Sequence, residues 1–196
     1  DDWPAFEEAG RRIGEALLSS RPGAQAHWVI KPNVVIPTRD VDPPMDPLET
    51  AGTVTNPYFV GGMALALQAL GACEISVAEG GAGHEGNQRH FEDRGYTQAA
   101  ERLGLRLVST NLGDLPEDQL NWLEVDGVVL RRLPVVRPIG DAKVRLINAP
   151  TMKTHNLAII SLAIKNLQGT ARVGFKEFCC ELVEPLRHEG LGETLQ

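Results

Sequence analysis

The chain has 196 residues, 42% of them apolar, with a formal net charge of −7 and a pI of about 5.3. That is the size of one domain, large enough to bury a core without covalent staples. The acidic balance argues against nucleic acid as the main partner, since phosphate binding needs a basic face, and no apolar run approaches the roughly 18 residues that span a bilayer.

The first segment reads as a helix, with Pro4 in its opening turn and Phe6, Ile13 and Leu17 on one face. Arg21-Pro22-Gly23 ends it, and Ala26 to Ile30 has strand character. A proline-bearing loop from Pro37 to Asn56 follows, of a length that is uncommon unless functional. Pro57 then opens a second helix reaching Leu70, with Asn56 as its natural N-cap and Gly71 as its stop. Glu74 to Ala78 is the next strand, followed by a glycine-rich turn and one helix from about Phe91 to Leu103. Leu105 to Val108 is a third strand, and Asn121 to Val136 suits an antiparallel hairpin or an edge excursion. Val144 to Asn148 is a fourth main strand, and Leu157 to Leu167 reads as a buried apolar helix. This alternation predicts a single α/β domain over residues 1–196, a layered, mainly parallel sheet flanked by helices.

Such sheets bind ligands outside the carboxyl ends of their strands. Lysine is scarce: five lysines stand against fourteen arginines. Yet Lys31 and Lys153 fall just after strands, and Lys165 near the end of the last helix. Lys31, Lys153 and Lys165 are therefore expected to form a cationic pocket in an acidic protein, which would attract a small anion. Asn33, Thr55, Asn56 and Asn166 would orient it by hydrogen bonds, and Gly80 and Gly81 would add backbone donors. Lys153, Lys165, His155 and Glu79 are the catalytic candidates. An unperturbed imidazole changes charge near neutrality, which recommends His155 as general acid–base; crowded lysines lower one another's pKa toward base or Schiff-base chemistry, and Glu79 is expected as the counter-charge or a metal ligand.

Gly81-Ala82-Gly83-His84-Glu85-Gly86 matches a dinucleotide fingerprint, but Ser109, Thr110 and Asn111 stand where the partner acid should lie. His84, His90 and His155 are candidate ligands for a divalent metal, without a recognised ligand spacing. His27 and His188 read as structural, and Arg131-Arg132 as a solvated edge. Cys73, Cys179 and Cys180 are too few and too irregularly spaced for a disulfide framework. The chain opens on Asp1, which reads as a trimmed product. The expected location is the cytoplasm, with export after signal removal as the alternative.

The ordered set Lys31-Pro32-Asn33, Thr55-Asn56-Pro57, Glu79-Gly80, Lys153-Thr154-His155 and Lys165-Asn166-Leu167-x-Gly169 resembles the "domain of unknown function 362" family over about residues 26–170. The Phe91 to Tyr96 segment and Leu146-Ile147-Asn148 are similar to it as well. Many of its members carry iron–sulfur ferredoxin modules, so the resemblance implies redox work. This chain lacks the repeated CxxCxxC pattern, so a cluster would have to come from a partner or another module. The leading expectation is an enzyme acting on an anionic or carbonyl-bearing small molecule. The alternatives are a redox subunit working beside an iron–sulfur partner, and a non-catalytic ligand-binding module.

Overall fold

Four parallel strands form the central sheet in a computed structural model that describes residues 3–19, 26–34, 52–81, 88–126, 130–155 and 159–175. The strands are β1 (His27–Pro32), β2 (Glu74–Glu79), β3 (Arg106–Ser109) and β6 (Val144–Ala149), in the order β3-β2-β1-β6. The chain therefore steps outward from β1 to β3 and returns to the other side of β1 as β6. A reversal of strand order of this kind leaves a crevice at the carboxyl ends, here between β1 and β6. Register places Trp28 beside Ile75 and Arg145, and Lys31 beside Asn148.

Side chains alternate across the pleat, so β1 feeds two cores. Trp28 and Ile30 pack with Val60, Met63 and Leu67 of α2 (Pro57–Ala69). Val29 packs with Val135 and Ile139 beneath a hairpin of β4 (Leu120–Glu124) and β5 (Arg132–Val136). That hairpin is antiparallel, as the turn signals predict. Arg131 and Arg132 pair with Asp126 and Glu124 on its exposed rim.

Helix α1 (Trp3–Leu18) lies along α2, but not on the face that its large apolar residues suggest. Ile13 and Leu17 are exposed; Gly10, Gly14 and Leu18 are buried. A Cβ on Gly62 would come within 1.9 Å of the Glu7 carbonyl oxygen, and one on Gly10 within 2.0 Å of the Phe59 carbonyl oxygen. The helices touch backbone to backbone, and only glycine leaves room for that.

Two further elements differ from expectation. The helix predicted over 91–103 is two helices, α3 (Gln88–Asp93) and α4 (Tyr96–Leu103). Gly95 between them holds φ = 73°, a left-handed conformation that ends the first helix. The helix predicted over 157–167 is met only at its end: residues 159–161 form a strand, and 157–158 lie outside the described residues. β7 (Lys153–His155) pairs with β8 (Ile159–Ser161), and helix α5 covers only Ala163–Leu167. The apolar run from Ile159 to Ile164 fits a helix by composition, but it serves a strand and a helix start. No helix among the described residues is long and apolar enough to cross a membrane.

Candidate functional site

Parallel pairing brings the carboxyl ends of β1, β2, β3 and β6 to one edge, and the residues that follow them meet there. At the centre lies an ion pair. Lys31 Nζ is 2.8 Å from Glu79 Oε2, and both side chains are almost completely buried, at 0% and 1% exposure. The ammonium also donates to the Pro32 carbonyl at 2.6 Å and to Asn166 Oδ1 at 3.3 Å. Its three protons are thus matched by three acceptors within the protein. Burial pulls the Lys31 pKa below its ordinary value, and the Glu79 carboxylate opposes that pull.

Glu79 ties its own turn to the 31–34 segment. Its Oε2 also accepts from the Val34 amide at 2.8 Å, and its Oε1 from the Gly80 amide at 2.8 Å. Asn166 locks α5 to the same point, donating to the Lys31 carbonyl at 2.9 Å and to Asn148 Oδ1 at 2.7 Å. Gly169 closes the pair from above. A Cβ there would lie 3.0 Å from both Glu79 Oε1 and Lys31 Cε, and Thr110 Oγ1 donates to the Gly169 carbonyl. Glycine is needed at this turn for close approach, not for its dihedral freedom.

A second network fixes the loop before α2. Thr55 Oγ1 accepts from the Asn33 amide at 2.9 Å and donates to the Ala149 carbonyl at 2.8 Å, with Thr151 Oγ1 at 3.1 Å. The Tyr96 hydroxyl, fully buried, donates to the Thr55 carbonyl at 2.6 Å. Asn33 Nδ2 and Lys153 Nζ converge on the Thr53 carbonyl, at 2.7 and 3.0 Å. Asn56 caps α2, its Oδ1 accepting from the Tyr58 and Phe59 amides at 2.8 and 3.3 Å.

Lys153 is half-buried at this edge. Partial burial lowers its pKa, Glu79 pushes back, and the nearby Lys165 charge lowers it further. Lys165 Nζ itself donates to Gln168 Oε1 at 2.6 Å. The three lysines thus lie at one sheet edge in different roles: Lys31 sealed within the protein, Lys153 and Lys165 around it. Gly80 and Gly81 are buried beside the pair. Tyr96, Thr110, Asn148, Thr151 and Gly169 belong to the same networks. The Lys165-Asn166-Leu167-x-Gly169 run already pointed to Gly169; nothing in the sequence singled out Thr151.

His155 ends β7, and its side chain lies outside the described residues, as do His84, His188, Cys179 and Cys180. His90 sits in α3, and burial lowers its pKa against the pull of Asp93 and Glu79. Among the described residues no three His, Cys, Asp or Glu side chains are gathered as a metal set. His27 bonds Ser76 Oγ at 2.8 Å, a structural role. Of the 81–86 glycine motif, only Gly81 is among the described residues.

The model of the family described as "Domain of unknown function (DUF362)" matches residues 29–182. The chain belongs to the DUF362 family. The matched span runs from β1 past Gly169 and so takes in both networks of this DUF362 site. No curated protein and no solved structure matches the chain.

Proposed function

We propose that this DUF362 chain is an enzyme module that takes an anionic or carbonyl-bearing small molecule at the edge formed by the carboxyl ends of β1 and β6. Lys153 carries the reading. It is a half-buried lysine beside a second lysine, at the point where strand order reverses. Two close cations of which one is desolvated favour a negative guest, which lowers their mutual repulsion. A depressed ammonium also holds more neutral amine near neutral pH than a surface lysine, as a base or carbonyl nucleophile requires. Lys31 and Glu79 act as the foundation: their pairing holds the 31–34 loop, the Gly80 turn and α5 in register. His155, two residues beyond Lys153, is the proton-transfer candidate on chemical grounds.

Calorimetry with oxalate, pyruvate and inorganic phosphate tests the reading. Lys153→Ala and Lys165→Ala should unfold as the parent does and lose at least tenfold in affinity for whichever anion the parent binds. If the parent binds none of them, or both variants bind as the parent does, the reading fails.

A further inference from the structure

The β7–β8 hairpin has two unlike faces. Strand alternation puts Lys153 and its partner Ser161 on one face, toward the Thr53 carbonyl. The opposite face carries Met152, Ile160 and Leu162, all exposed. Helix α5 packs against both β8 and β6, and it adds Leu167 and Ile164, the latter 90% exposed. Leu146 of β6 is exposed too. Of the nine exposed large apolar side chains among the described residues, six fall between Leu146 and Leu167. Scattered exposed apolar residues need no explanation; a concentration of this kind marks a contact surface.

Charge and backbone narrow down what covers it. Residues 142–175 contain no carboxylate, in a chain with 26 acidic residues; of their five cations, Lys153 and Lys165 belong to the small-molecule site and Arg172 lies 3.8 Å from Glu117, which leaves Lys143 and Arg145 for this face. Lys143 and Arg145 flank the start of β6 and are exposed. Among the described residues β6 pairs only with β1, so its other edge offers backbone donors and acceptors without a strand. A lipid surface would match the cations and the apolar side chains but could not satisfy a strand edge. A second copy meeting this face with the same face would set cations against cations.

We propose that the outer edge of β6, with the outer face of the β7–β8 hairpin and α5, is a docking surface for an acidic polypeptide segment. The segment adds to β6 as an extended strand. Its backbone bonds to the edge, its apolar side chains cover Leu146, Ile160 and Ile164, and its carboxylates meet Lys143 and Arg145. On the hairpin this surface is separate from the small-molecule site, since Lys153 lies on the other face.

The test uses the full chain, a fluorescent peptide of alternating Val and Glu, and the same peptide with Lys for Glu. The acidic peptide should bind and weaken with added salt, and the basic one should not bind. The double variant Ile160→Asp, Ile164→Asp should bind the acidic peptide at least tenfold more weakly while keeping the parent's thermal transition. Any of four results would overturn the proposal: no binding of the acidic peptide, equal binding of both peptides, an unaffected double variant, or a parent dimer that the double variant abolishes. Tight binding to phosphatidylglycerol vesicles without peptide binding would assign the face to a membrane instead.

Discussion

Replacing Glu79 with glutamine keeps the shape of the side chain and removes the charge that faces Lys31. The carboxylate accepts three hydrogen bonds at 2.8 Å, from Lys31 Nζ, the Val34 amide and the Gly80 amide. A glutamine has one oxygen. If that oxygen stays with Lys31 and Val34, the new amide group faces the Gly80 amide, donor against donor. A flip merely moves the conflict to the ammonium. Leaving one buried backbone donor unmatched costs about 1–3 kcal/mol, and removing one partner of a buried ion pair costs about 3–5 kcal/mol in all. The expected loss for Glu79→Gln is therefore about 3–5 kcal/mol, a large part of the roughly 5–15 kcal/mol that a domain has. At about 2–4 °C per kcal/mol for this size, the melting temperature should fall by about 6–20 °C. Urea unfolding followed by circular dichroism gives the free energy. A cycle with Lys31→Met completes the test, because two residues in contact should couple, the double variant losing less than the sum by about 0.5–3 kcal/mol. A Glu79→Gln loss under about 1 kcal/mol, or strict additivity with Lys31→Met, would refute the account of a sealed, mutually dependent pair.

Three further outcomes follow from the geometry. Gly62→Ala puts a methyl group 1.9 Å from the Glu7 carbonyl oxygen, so α1 and α2 must separate; urea unfolding should show a loss of about 2–3 kcal/mol, and the fold can absorb less only if α1 detaches without cost. Asn56→Ala removes the acceptor for the Tyr58 and Phe59 amides and should cost about 1 kcal/mol, which Asn56→Asp restores in the same assay. If Lys153 holds an anion, affinity is full where its amine is protonated and falls as pH rises through its depressed pKa, below the ordinary 10.5. Lys165→Gln removes one lowering influence, so the midpoint of that fall should move upward in calorimetry; a downward move would contradict the arrangement.

The parallel sheet was legible because strand–helix alternation and the stop at Gly71 are local signals. So were the β4–β5 hairpin and the cap at Asn56. The buried face of α1 was not, because close helix contact selects glycine, while Ile13 and Leu17 drew the eye to the side that stays wet. The segment after Lys153 misled for a related reason. An apolar run has the same composition whether it fills a core or coats a surface, and periodicity cannot tell the two apart over so few residues. At the site, scarcity of lysine pointed to Lys31, Lys153 and Lys165 at one edge. Their division of labour was out of reach. That Lys31 is sealed in by Glu79, Asn166 and Gly169 depends on residues distant along the chain.

That distance has a consequence for how the protein comes into being. The contacts that hold Lys31 join it to residues 48 and 135 positions later in the chain. Closing such long loops is entropically slow, and the reward arrives only when the last participant docks. A nascent chain that has not yet delivered the segment from Asn166 to Gly169 carries a lysine and a glutamate whose shelter is incomplete, and water still competes for them. Maturation of the sheet edge is thus timed by its most C-terminal contributor, and a chain interrupted before that point should keep its first helices but leave this corner unassembled.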